Sequence, residues 1–314
     1  MTHVFGPVSS RRLGLSLGVD LIPAKTCSYD CLYCQAGRTT DCFMEPKPLI
    51  PVQGVIQELK QKLELVTPDI ITFSGSGEPT LHSEIDRVIA FIKTVTDIPI
   101  ALLTNGSLLW KKEVRERILG AHIIMPTLST ASEETFRMIH RPCPGLNLAR
   151  IIEGLRRFRE IYEGRLFLEV ILLAGINDSD KELEGLKKVI EQISPDRVQL
   201  NTVVRPPADG RALSLDRTRL EEIKNFMGPK TEIIAEVSPK GKTGRHDTFL
   251  TALAEMAKRR PLRVLDAAHV LDVPLEEAER LIKGLMMKGG LRRQEHAGEV
   301  FYVSTLSENR HKVQ

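Results

Sequence analysis

Thr26-Cys27-Ser28-Tyr29-Asp30-Cys31-Leu32-Tyr33-Cys34-Gln35 packs three cysteines into eight residues, just after an apolar run at 17–22. The spacing is C-x3-C-x2-C, and thiols crowded in this way point to metal. Cys42 and Cys143 bring the total to five, an odd number, so a disulfide framework is not expected. Three thiolates leave a structural zinc site one ligand short, and Cys42 would complete an all-cysteine zinc knuckle. An iron–sulfur cluster fits the triplet better. Thiolate is its standard ligand, and three protein ligands on a four-iron cube leave one iron open for chemistry.

Outward from this loop the chain alternates short apolar runs with longer amphipathic segments. The strand-like runs are 17–22, 69–73, 98–103, 122–127, 166–173 and 197–203, rich in Val, Ile and Leu as strands buried on both faces should be. Helical periodicity occupies 52–66, 84–95, 111–119, 132–139, 148–161, 180–192 and 215–226, with Pro51 suited to a first turn and Asp180 to a helix start. Repeated strand-then-helix units predict right-handed parallel crossovers. Six of them make an α/β fold, a partial (β/α)6 TIM-type barrel over residues 1–237.

Near Met227-Gly228-Pro229 the texture changes. Residues 238–244 read as a basic linker; Lys242-Thr243 is no phosphate loop, because Glu236 stands where its first glycine belongs. Helical patterns at 247–258, 262–271 and 275–287 precede two alternating runs around Ala297-Gly298, a hairpin signal. This order predicts a small winged-helix domain over 245–306, followed by a frayed tail at 307–314.

Composition bounds the function. The 314 residues are 42% hydrophobic and 27% charged, enough for one large and one small domain. A net charge of +3 neither demands nor excludes nucleic acid. Aromatics are only 5%, with one tryptophan, which argues against base-stacking or sugar-binding platforms. No apolar run approaches the roughly 18 residues of a membrane span, and Met1–Ser10 lacks the pattern of a secretory leader, so a cytoplasmic location without a membrane partner is expected. The would-be recognition helix opens with Glu276, Glu277 and Glu279, and residues 244–314 hold 12 Lys and Arg against 10 Asp and Glu, so DNA is disfavoured.

A C-x3-C-x2-C loop after the first strand of a parallel α/β series, with Tyr33 just before the last cysteine, resembles the radical SAM enzymes. Ser76-Gly77-Glu78 is similar to that family's glycine-glycine-glutamate motif, with serine at the first position. The resemblance implies a 4Fe–4S cluster on Cys27, Cys31 and Cys34 and S-adenosylmethionine on its open iron. It implies cofactor contacts from Tyr33, from Ser76, Gly77 and Glu78 on the methionine ammonium, and from Asn105 after the third strand. Thr127 and Ser129 after the fourth strand would face the ribose, Ser129 standing where an aspartate is usual. Glu169 and Asn201, polar groups on buried strands, would line the cofactor or substrate site.

The stretches Phe5–Gly14, Ser16–Asp20, Gly37–Thr40 and Gln199–Thr202 resemble one branch, the wyosine synthases, which build a tricyclic base on tRNA. No cysteine lies among the 26 residues before Cys27, where that branch carries a second triplet. The implied chemistry is reductive cleavage of S-adenosylmethionine to a 5′-deoxyadenosyl radical that takes a hydrogen atom from substrate, with a flavodoxin- or ferredoxin-like electron donor. An RNA base, tRNA included, is the first substrate to test; a peptide or small metabolite is the alternative. Two other readings stay open: a cluster-bearing, redox-sensing DNA-binding regulator and a zinc-stabilised structural protein. Arg11, Arg12, Lys25 and Arg38 flank the cysteine loop and would draw in an anionic substrate or donor, or simply be solvated. Cys143 is expected to be a loop thiol without a role, and His82 to begin a helix.

Overall fold

The computed structural model describes residues 2–234, 249–271 and 273–305. In chain order the elements are β1 (Val4–Ser10), β2 (Gly14–Val19), β3 (Thr26–Cys27), β4 (Asp41–Cys42), α1 (Val52–Leu65), β5 (Ile70–Phe73), α2 (Ile85–Val95), β6 (Ile100–Thr104), α3 (Lys112–Ile118), β7 (Ile123–Pro126), α4 (Glu133–His140), α5 (Leu148–Ile161), β8 (Arg165–Leu172), α6 (Asp180–Ile193), β9 (Arg197–Thr202), α7 (Arg217–Met227) and β10 (Thr231–Ile233). Then follow α8 (Phe249–Ala257), α9 (Val264–Leu271), α10 (Leu275–Met287), β11 (Leu291–His296) and β12 (Glu299–Ser304).

Eight strands form one sheet in the order β1-β2-β5-β6-β7-β8-β9-β10. From β2 onward every pairing is parallel. Because spatial order follows chain order without reversal, right-handed crossovers put successive helices on one side, and the sheet curls rather than winding doubly. Consecutive helices accordingly pack on one another, α1 on α2, α2 on α3, and α4 through α7 in series. All six expected strands are present. Two further strands extend the sheet: β1, antiparallel to β2, and β10 beside β9. Gly18 in β2 makes room for Phe5 of β1, since a Cβ there would lie 2.1 Å from the Phe5 ring.

Local chemistry explains the helices. Ser132, Asn147, Ser179 and Asp216 each accept a backbone N–H at a helix start, so α6 is capped by Ser179 and not by Asp180. In α2, Ile85, Val88, Ile89 and Ile92 are buried, the i, i+3, i+4, i+7 stripe of a helix lying on a sheet.

The C-terminal residues have a separate core, including Leu253, Met256, Leu262, Ile282, Leu285 and Tyr302, with Val8 of β1 packed against it. α8 and α9 lie on β1, and β11 and β12 pair antiparallel across Ala297-Gly298, both at positive φ. The expected linker at 238–244, the tail at 307–314 and the start of the helix expected at 247–258 lie outside the described residues.

Candidate active site

A cavity of about 400 Å³ opens where β5, β6 and β7 end, the catalytic end of a parallel barrel. Cys27, Cys31 and Cys34 share it with Glu78, Asn105 and Glu169.

The cysteine loop is held by two neighbours. On one side β3 pairs with β4, placing Cys27 beside Cys42. On the other, the Asp30 and Leu32 N–H groups donate to the His140 and Ile139 carbonyls at the end of α4, and the Cys143 N–H donates to the Ser28 carbonyl at 3.0 Å. Asn105 Nδ2 donates to Ser28 Oγ at 2.9 Å and lies 3.5 Å from Cys27 Sγ, so this residue braces the loop. His140 Nδ1 sits 3.3 Å from Cys31 Sγ and 3.4 Å from the Tyr33 hydroxyl. Nothing in the sequence singles out His140; only α4 folding back beside the loop brings it there.

Burial pushes the Cys27 thiol up to about 12, with Glu78 adding to the rise, and raises Cys31 and Cys34 as well. Burial also pulls His140 down to about 3, leaving it neutral and unable to offset thiolates. The protein alone does not stabilise three negative sulfurs; a positively charged metal group would. Among the described residues no three His, Cys, Asp or Glu side chains converge as ligands of a single ion. Cys27, Cys31 and Cys34 carry free thiols that line one cavity.

Two cysteine expectations are corrected. Cys42 and Cys143 form a disulfide, with Cα atoms 5.9 Å apart, although no disulfide was expected. Cys42 is therefore no fourth zinc ligand and Cys143 no idle thiol. Parallel pairing of β3 with β4 sets Cys42 beside Cys27, and the Cys143–Ser28 hydrogen bond sets Cys143 beside the next residue, so the two meet although 101 residues separate them in sequence.

The Ser76-Gly77-Glu78 turn is built more tightly than the sequence suggests. A Cβ on Gly77 would fall 1.7 Å from the Thr26 carbonyl, so glycine is needed for the cysteine loop to pack on this turn. Ser76 lines the cavity but gives its hydroxyl to Asp20 Oδ2 at 2.6 Å. Glu78 is buried and accepts from Thr80 N and Oγ1, Thr104 Oγ1 and Asn105 N, at 2.5–3.0 Å. Its carboxylate ties the ends of β5 and β6 together while still facing the cavity.

Tyr33, Thr127, Glu169 and Asn201 also line the cavity. Glu169 accepts from Thr127 Oγ1 at 3.2 Å and from Asn201 Nδ2 at 3.2 Å, and pairs with Arg12 at 3.0 Å. Ser129 does not join them. It is 1% exposed, and its Oγ accepts the Ile171 N–H at 3.0 Å, bracing β8. His82 does not begin α2, which starts at Ile85 after Glu84; its Nε2 lies 2.9 Å from the Ile50 carbonyl.

Arginines supply the rest of the lining. Arg11 and Arg12, which flank the loop in sequence, reach across to Asn201 and Glu169, while Arg38 turns outward to pair with Asp30. Arg205, just after the end of the sixth expected strand, joins them, as do Arg259 and Arg260, to which the sequence gives no role. Arg259 pairs with Asp20 at 3.0 Å and Arg205 with Asp266 at 3.0 Å, and all four side chains are at most 6% exposed. These two buried pairs fasten the C-terminal segment to the barrel.

A profile described as the Radical SAM superfamily matches residues 21–186. The chain is 37% identical over 308 residues to a Brachyspira hyodysenteriae protein named GTPase Obg, covering 96% of this chain and only 45% of that longer protein. It is 30% identical to a UPF0026 protein of Methanocaldococcus jannaschii, covering 98% of this chain and 97% of that one. The fold is similar to a radical SAM methyltransferase from Sphaerobacter thermophilus, with TM-score 0.53, 16% identity, and coverage of 73% of this chain and 67% of that one. Among the described residues no helix is long and apolar enough to cross a membrane.

Proposed function

The chain belongs to the Radical SAM superfamily of enzymes, and from that premise we propose that it modifies an RNA base, with tRNA as the first substrate to test. Cys27, Cys31 and Cys34 would hold a 4Fe–4S cluster, and Tyr33, Gly77, Glu78, Asn105, Thr127, Glu169 and Asn201 would surround S-adenosylmethionine. When bound and reduced by a flavodoxin- or ferredoxin-like donor, the cluster supplies the electron that cleaves the sulfonium to methionine and a 5′-deoxyadenosyl radical. The protein's own share is orientation and exclusion of water. Asn105 and Tyr33 fix the cysteine loop. Glu78 fixes the strand ends and would offer its carboxylate to the cofactor's ammonium. Glu169 and Asn201 carry the polar lining towards the arginines.

The observation that carries this reading is one cavity holding three free thiols together with the strand-end polar groups. The three helices and hairpin of the C-terminal segment are read as a winged-helix-like module that presents substrate. α10 begins with Glu276 and Glu277, which suits a protein or presenting contact and opposes insertion into a DNA groove.

The test is 5′-deoxyadenosine release by anaerobically reconstituted protein with reductant, with and without bulk tRNA. Release stimulated by tRNA is expected. Cys31→Ala is expected to lose both bound iron and release. Slow release indifferent to tRNA would replace RNA by a peptide or metabolite, and no release from cluster-loaded protein would overturn the enzyme reading.

A further inference from the structure

The arginines of the cavity wall do not all have counter-ions. Arg12 has Glu169, Arg205 has Asp266, and Arg259 has Asp20 and Glu255. Arg263, just outside the cavity, shares Asp266 and also reaches Glu299. Arg260 lines the same cavity, yet among the described residues its guanidinium has no hydrogen bond or ion pair of its own. Burial, together with Arg205, Arg11 and Arg263, pulls its pKa down to about 9, only partly opposed by Asp266. Arg11 is lowered to about 10 by burial, Arg205 and Arg12. A half-buried guanidinium among like charges is an unfavourable arrangement that an arriving oxyanion would relieve. Its planar fork matches the oxygen spacing of phosphate or carboxylate. The charge lining the cavity is unbalanced in the same sense. Arg11, Arg12, Lys25, Arg205, Arg259 and Arg260 face it, against the carboxylates Glu78 and Glu169.

We propose that Arg260, supported by Arg205 and Arg11, forms a subsite for a phosphate group of the substrate, in the cavity that also holds the cysteine loop. The proposal rests on the reading of an RNA nucleotide as substrate and adds where that nucleotide is gripped. The C-terminal segment then contributes directly to substrate binding, through a residue three positions after the end of α8. An alternative source of the same oxyanion chemistry is the carboxylate of S-adenosylmethionine, and the experiment separates the two.

The full-length, cluster-loaded protein is titrated calorimetrically with pyrophosphate, with succinate and with S-adenosylmethionine, as wild type, Arg260→Gln and Arg260→Lys. Wild type is expected to bind pyrophosphate more tightly than succinate. Arg260→Gln is expected to weaken pyrophosphate about tenfold or more, the loss of one charge-assisted contact, with S-adenosylmethionine affinity unchanged. Arg260→Lys keeps the charge without the fork and should fall in between; it also serves if the glutamine variant fails to fold. The proposal is overturned by a wild type that does not bind pyrophosphate, by succinate binding as tightly, by variants that keep wild-type affinity, or by an equal loss for S-adenosylmethionine. These titrations involve no radical chemistry, so they can fail while 5′-deoxyadenosine is released, and succeed while it is not.

Discussion

The two walls of the cavity are built in opposite ways. The cysteine wall comes from eight consecutive residues, held by backbone hydrogen bonds to the end of α4 and by glycine-tight packing on the turn after β5. The arginine wall comes from three distant stretches, at 11–12, 205 and 259–260, and is held by buried ion pairs. A wall made from one short segment fails when a single atom is added to its packing. A wall made from long-range ion pairs fails when one charge is removed. Two substitutions probe this difference and a third tests a residue that belongs to neither wall, in decreasing order of expected effect.

Gly77→Ala should act most severely on the cysteine wall. Its Cβ would lie 1.7 Å from the Thr26 carbonyl and 2.9 Å from the carbonyl carbon, both backbone atoms with no side-chain freedom to move aside. Either the loop or the turn must shift, and most of the bound iron should be lost, as measured by iron and sulfide per chain. Iron loading at the wild-type level would show that the cysteine wall is more adaptable than its packing implies.

Asp266→Ala tests the arginine wall. It leaves Arg205 buried without its carboxylate, which should cost about 3–5 kcal/mol in denaturant unfolding, whereas replacing both partners by Met and Leu should restore much of it. The pH dependence has a definite sign. Burial alone would raise the Asp266 carboxyl, but Arg205, Arg260 and Arg263 outweigh it and bring it from 3.8 down to about 2. A depressed carboxyl contributes stability above its unfolded pKa. That contribution, about 2 kcal/mol, is present above pH 4 and is lost as pH falls through 2. Asp266→Asn should flatten stability over that window, and an unchanged slope there would remove Asp266 from the account. Loaded iron should be spared in these variants if the two walls are independent.

The same contrast explains what the sequence disclosed. The strands at 69–73, 122–127 and 197–203 were legible because a parallel sheet buried on both faces writes itself as runs of Val, Ile and Leu. The triplet was legible because its spacing is local. β1 and β10 were not, since Val4–Ser10 contains Gly6 and Pro7 and Thr231–Ile233 is three residues long, too short to show a period. The Cys42–Cys143 disulfide, His140 beside Cys31 and the Arg205–Asp266 pair join residues 101, 109 and 61 positions apart. No periodicity carries such pairings; only the completed crossovers do.

Ser129→Ala carries the smallest expected effect and the sharpest distinction between a strand-end group that faces the cavity and one that does not. Thr127 and Ser129 are two residues apart after β7, and the sequence offers no reason to separate them. Thr127 lines the cavity, hydrogen-bonded to Glu169. Ser129 instead accepts the Ile171 N–H with its hydroxyl, while its carbonyl accepts Asn177 Nδ2 at 2.8 Å. Removing the hydroxyl leaves one buried N–H unpaired, a cost of about 1–3 kcal/mol that denaturant unfolding would register. S-adenosylmethionine affinity should stay at the wild-type value in Ser129→Ala and fall in Thr127→Val. If affinity fell for Ser129→Ala while stability held, the hydroxyl would be contacting cofactor, and the end of β7 would have to turn towards the cavity rather than into the β8 junction.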